Sequence, residues 1–165
     1  MIAMARMMEQ AEPAPAQDAA TRLERRRRNE GVLAIIRTAD VTRRHFARVF
    51  EPHGLTPQQY NVLRILRGAR PEALPTMEIA GRMMEQTPGI TRLLDRLDEK
   101  GLITRERCAE DRRQVLCTIS PQGLDLLDEL AMGVAEADDA VVARLAPADL
   151  DQLIRLLYEV RRGLE

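Results

Sequence analysis

Three times in this chain a hydroxyl residue stands directly before a proline, at Thr56-Pro57, Thr87-Pro88 and Ser120-Pro121. Each pair opens a run of apolar residues at helical spacing. A threonine or serine oxygen caps the free amides of a first helical turn, and a proline there gives up no hydrogen bond. Gln59, three residues after Thr56, can reach back to complete a capping box. These starts fix where helices begin and so limit the folds open to the chain. The spacing predicts one helix burying Tyr60, Leu63 and Leu66. A short one follows, capped by Thr76 and carrying Ile79, Ala80 and Met83. A third, over 87–100, gathers Ile90, Leu93, Leu94 and Leu97 and stops at Gly101, a residue suited to the left-handed helix end. Residues 68–75, with Pro71 and Pro75, read as a loop.

After Gly101 the period changes. Residues 102–107 and 115–119 are short runs that fit strands, joined by a charged segment at 108–114. Helical spacing returns behind Ser120 in a long helix to about residue 145. Pro147 then opens a last helix with Leu150, Leu153, Ile154, Leu157 and Val160 on one face. Upstream, Val32, Ile35, Ile36, Ala39, Phe46, Val49 and Phe50 predict a helix over 29–51, ended by Pro52 and Gly54. Residues 1–20 lack any period and are expected to be a disordered tail. The organisation is therefore a tail at 1–20, a terminal helix within 21–52, a winged helix-turn-helix at 53–119 and C-terminal helices at 120–165. The fold class is mainly α.

Aromatic residues make up only 2% of the chain, so the core must be aliphatic. A formal charge of −1 carries no global signal for a nucleic-acid partner. Its distribution is uneven: nine arginines lie between positions 22 and 48 against Glu24, Glu30 and Asp40, four of them consecutive at 25–28. Between Asp125 and Asp151 the acids dominate and Arg144 is the only base. Such segregation permits one basic face on a near-neutral protein. Two cysteines are too few for a disulfide framework, and no apolar run reaches membrane-spanning length. A cytoplasmic protein without a membrane partner is expected. His45, His53, Cys108 and Cys117 offer neither a nucleophile–base pair nor a metal site, and Asp138 and Asp139 point to different faces of their helix. No catalytic residue, metal or cofactor is expected.

At about 100° per residue the helix over 87–100 turns Pro88, Arg92, Asp95, Arg96 and Glu99 away from its apolar side. Arginines near a positive helix N-terminus suit a major groove, where they read guanine or hold phosphate. Asp95 and Glu99 dilute that charge. Arg107, Arg112 and Arg113 surround the hairpin tip, where an arginine can enter a minor groove. Asp111 is placed to fix one of them by a forked salt bridge.

GLTPQQYNVLRIL (54–66), ITRLLDRLDEKGLITR (90–105) and EDRRQVLCTISPQG (110–123) together resemble the MarR family of bacterial regulators. The family's wing signature has Asp-x-Arg, a short strand, Ile or Leu, Ser or Thr, two residues and Gly. Here those positions are Asp111, Arg113, Ile119, Ser120 and Gly123. The resemblance implies a homodimer held by its first, fifth and sixth helices, acting as a repressor on a palindromic site in double-stranded DNA. By position, Thr87, Pro88, Gly89, Thr91, Arg92 and Arg96 would meet the major groove. Arg113, oriented by Asp111, would enter the minor groove, with Arg112 toward the backbone. Gly89, inside the helix, would carry a propensity cost of about 1 kcal/mol. Release by an amphipathic or aromatic acid is a further implication, with His45, Phe46, Arg48 and Tyr60 near the place where such a ligand would sit. Two alternatives stand beside this reading. One is an oxidation-responsive regulator acting through Cys108 or Cys117, although Cys117 alternates with Val115 and Ile119 and should be buried and inert. The other is a winged helix used for protein contact.

Overall fold

A computed structural model of the chain describes residues 16–84, 89–109 and 111–164. Its elements are helix α1 (Ala16–Phe50), a 3-10 turn (Glu51–His53), α2 (Pro57–Ala69), strand β1 (Leu74–Pro75), α3 (Thr76–Arg82), α4 (Ile90–Glu99), β2 (Ile103–Arg107), β3 (Val115–Ile119), α5 (Pro121–Val142) and α6 (Pro147–Arg162). The fold is mainly helical with one small antiparallel sheet in the order β1-β3-β2. The chain divides into two compact units, Met1–Val41 and Thr42–Glu165.

The first unit holds the start of α1. Helix is found from Ala16, so positions 16–20, assigned by sequence to the tail, are helical. Within this part Leu23, Val32, Leu33, Ile35, Ile36 and Val41 are all exposed.

In the second unit the end of α1 turns Phe46, Val49 and Phe50 onto the core. Phe50 stacks between Phe46 and Tyr60, with ring centroids 6.4 and 4.4 Å away. Two helices end in the same way. Gly54 and Gly101 take left-handed φ values of 63° and 70°. Their amides donate to Glu51 O and Asp98 O, and the leucine after each donates to Phe50 O or Leu97 O at 3.0–3.1 Å. This is the Schellman arrangement, and the leucines that close it, Leu55 and Leu102, are buried.

The Thr56 capping box forms as expected. Thr56 Oγ1 accepts from Gln59 N at 3.2 Å, and Gln59 Oε1 accepts from Thr56 N at 3.0 Å. That second bond satisfies the carbonyl of an otherwise costly buried glutamine. Below it Val62, Leu63 and Leu66 join Ile79, Leu94, Leu97, Ile103, Cys117, Leu127 and Leu130 in the core. Each fully buried aliphatic side chain contributes about 1.5–3 kcal/mol.

Three further expectations change. Thr76 is the first residue of α3, behind Pro75, and makes no side-chain cap. Its hydroxyl donates to Val115 O on β3 at 3.4 Å. The end of the expected 68–75 loop is β1, which pairs with β3 through Leu74 opposite Cys117 and Pro75 opposite Leu116. Two residues are too few to show strand periodicity, and β3 supplies the pairing. The fifth helix ends at Val142, a few residues short of the boundary read from sequence.

Candidate nucleic-acid interface

Helix α4 starts at Ile90, later than the pattern from Thr87 indicated. Gly89 stands before it as N-cap with φ 85° and ψ 35°, a left-handed conformation. It is not a glycine inside a helix, so no helix-interior propensity cost applies. An L-residue there would carry strain of roughly 1–2 kcal/mol, although no atom crowds the position of a Cβ. Thr87 and Pro88 lie outside the described residues. The amphipathic division of α4 is as expected. Leu94 and Leu97 are fully buried, Ile90 and Leu93 half-buried, and Thr91, Arg92, Arg96 and Glu99 exposed.

Asp95 is different. It lies half-buried on the polar side and accepts from Arg105 Nη1 on β2. This contact was missed in the sequence, yet a signal existed. Arg105 follows Ile103 by two residues and so falls on the inward side of its strand, where a charge requires a partner.

The wing is the β2–β3 hairpin, in register from Ile103 opposite Ile119 to Arg107 opposite Val115. Cys108 N donates to Gln114 O at 3.0 Å, closing the tip. Asp111 Oδ1 accepts from the backbone amide of Arg113 at 3.0 Å, and Oδ2 accepts from Gln114 Nε2 at 3.2 Å. The expected forked bridge from Asp111 to a guanidinium is therefore replaced by an Asx turn, in which the carboxylate folds the backbone. Arg112 and Arg113 project from it, exposed. Together with Arg92 and Arg96 they are four cations that form no ion pair to another described residue. Open positive charge thus lies on the exposed side of α4 and at the hairpin tip, where it is available to phosphate groups.

The sequence profile of the MarR family matches residues 53–114, from the turn before α2 to the wing. A protein from Thauera aromatica, named as a candidate transcriptional regulatory protein for the hcr operon, is 32% identical over 120 residues, covering 72% of this chain and 71% of its own. The chain belongs to the MarR family. It is a DNA-binding transcriptional regulator and not an enzyme. Among solved structures, the MarR transcription factor of Planctomyces limnophilus is 39% identical with a TM-score of 0.65, covering 79% of this chain and 94% of that one. A cysteine-to-serine mutant of MarR from E. coli, complexed with operator DNA, shares the fold at 22% identity, with a TM-score of 0.70 and coverage of 89% and 99%.

Within this MarR protein the wing signature divides by role. Asp111 and Arg113 belong to the exposed tip. Ile119, Ser120 and Gly123 belong to a buried joint: Ser120 Oγ donates to Gly101 O at 2.7 Å and accepts from Gly123 N at 3.0 Å. A Cβ on Gly123 would stand 2.2 Å from Leu102 O.

Cys117 is buried and the Cys108 side chain half-buried, both as free thiols. Burial pushes the Cys117 thiol up, against opposing effects of Arg105 and Thr76, so it stays protonated near neutral pH. His45, Phe46 and Tyr60 are half-buried and Arg48 is exposed. Phe46 and Tyr60 belong to the aromatic stack on Phe50. His45 Nε2 is buried without a partner. Among the described residues no helix is long and apolar enough to cross a membrane, and no acidic, histidine or cysteine cluster could hold a metal ion.

Proposed function

We propose that this regulator works in the cytoplasm as a homodimeric repressor on a palindromic DNA operator and is released by a small amphipathic or aromatic acid. In this reading Thr87, Pro88, Gly89, Thr91, Arg92 and Arg96 face the major groove. Arg113 enters the minor groove, and Arg112 holds the adjacent backbone. The observation that carries the reading is the set of four arginines without ion-pair partners among the described residues, two on α4 and two on the wing tip, raised on elements that share one core.

The dimer rests on the terminal helices. Helix α6 buries none of its residues, and Leu153, Ile154, Leu157 and Val160 stay exposed on it. The first part of α1 leaves Val32, Ile35 and Ile36 uncovered. Faces of this kind call for a second chain. A dimer with two-fold symmetry presents two winged units, which is why its operator is expected to be a palindrome. Repression follows from occupying the site, and an acid releases it by favouring the state that does not bind.

The test is binding of the purified protein to DNA fragments from around its own gene, titrated with salt, with molar mass measured by light scattering. A mass of two chains and tight binding that protects a palindrome and weakens steeply with salt are expected. Weak binding, indifferent to sequence at every salt concentration, would overturn the operator assignment. A single-chain mass would overturn the dimer.

A further inference from the structure

By its own charges α4 is a poor ligand for DNA. Asp95 lies three residues from Arg92 and beside Arg96, and Glu99 continues the same side. A bare carboxylate between two arginines opposes the phosphates those arginines would meet. Arg105 of β2 answers it through the contact from Nη1 to Asp95 Oδ1.

This pair is built differently from the protein's surface pairs. The Arg105 side chain is only 18% exposed, whereas Arg67 in its pair with Asp128 is 43% exposed. Arg105 sits in register opposite the buried Cys117, on the inward side of β2. Taking a guanidinium out of water costs free energy, and an unmet donor adds to the cost. Arg105 carries both burdens, since its Nε is buried without a hydrogen-bond partner. An aliphatic residue, the type that suits the inward side of a strand, would carry neither. Stability of the strand therefore does not account for this arginine. Its length does: it reaches from the sheet to the polar side of α4 and sets a positive charge against the Asp95 carboxylate.

We propose that Arg105 is an internal counter-ion for the recognition helix. It touches no DNA. It neutralises Asp95, so that Arg92 and Arg96 meet the phosphates without a bare carboxylate between them. The inference rests on the reading of α4 as the DNA-facing helix and adds a residue to it that lies away from the interface.

The experiment uses the full chain and a short mixed-sequence duplex, with affinity followed by fluorescence anisotropy over a salt series and each variant checked by thermal melting. Arg105→Gln should weaken binding roughly tenfold and make the salt dependence shallower by about one counter-ion. Asp95→Asn, which leaves Arg105 in place, should strengthen binding several-fold. The double variant should return to within about threefold of the wild type. A purely architectural pair predicts otherwise: Asp95→Asn would weaken binding, and the double variant would stay as weak as Arg105→Gln. Either result would overturn the proposal. Should Arg105→Gln fail to fold, the sign of the Asp95→Asn effect alone decides. A wild-type protein that shows no salt-dependent binding would instead remove the DNA-facing reading of α4, which distinguishes the two failures.

Discussion

At its base, where β2 leaves α4 and β3 enters α5, the wing hairpin is closed. Ser120 N donates to Leu102 O, Ser120 Oγ bonds both Gly101 O and Gly123 N, and Leu102, Ile103 and Ile119 are buried around them. At its tip the same hairpin is open. Its backbone is folded by Asp111, but Arg112 and Arg113 reach into solvent without an ion pair to a described residue. Both ends belong to one short sequence signature. The base commits its polar groups to the fold, while the tip leaves them for a partner. Substitutions at the two ends should therefore fail in different assays.

The largest effect is expected at the base. Gly123→Ala places a Cβ 2.2 Å from Leu102 O and 2.9 Å from Ile119 Cγ1, and neither the backbone carbonyl nor the packed isoleucine can withdraw cheaply. A loss of about 3 kcal/mol in denaturant unfolding is expected, in the upper range for an overpacked core. DNA binding should fall only in proportion to the fraction unfolded. An alanine variant as stable as the wild type would break the account of the joint.

Next in size is the tip. Arg113→Ala should leave unfolding within about 0.5 kcal/mol of the wild type. The same variant should weaken operator binding by about 2 kcal/mol in a salt-controlled titration. Unchanged DNA affinity would remove the wing from the interface. Ser120→Ala returns to the base with a smaller loss, about 1 kcal/mol of stability from the missing cap, and the slope of affinity against salt should not move. A changed slope would mean that the joint also shapes the charged surface.

The base was the more legible of the two in the sequence. Ser120-Pro121 and Gly101 mark a helix start and a helix end by local chemistry, and local rules survive folding when nothing non-local competes. The amphipathic division of α4 was legible for the same reason. Much of what escaped depended on partners elsewhere in the chain. Leu74 and Pro75 form a strand because β3 lies beside them. Thr76 turns its hydroxyl to Val115 O instead of capping its own helix. Asp95 reads as a charge that weakens a basic face until Arg105 is found against it. Gly89 precedes its helix instead of lying inside it, and a glycine at a helix start and one within the first turn look alike in a periodic pattern.

The smallest effect separates two roles for Asp111. A salt bridge to an arginine would need the carboxylate charge, so asparagine and alanine should be equally harmful there. The Asx turn needs only an acceptor oxygen for the Arg113 amide, 3.0 Å away, and asparagine supplies one. Asp111→Asn should therefore keep the tip folded and bind DNA within about 0.5 kcal/mol of the wild type, helped slightly by the loss of a negative charge near phosphates. Asp111→Ala frees the backbone at the tip, and the ordering of Arg113 must then be supplied on binding. A cost of about 1 kcal/mol is expected, in line with the ordering of one long side chain and its turn. Equal losses in both variants would restore the salt-bridge role and make the tip, like the base, a place where polar groups are committed within the protein.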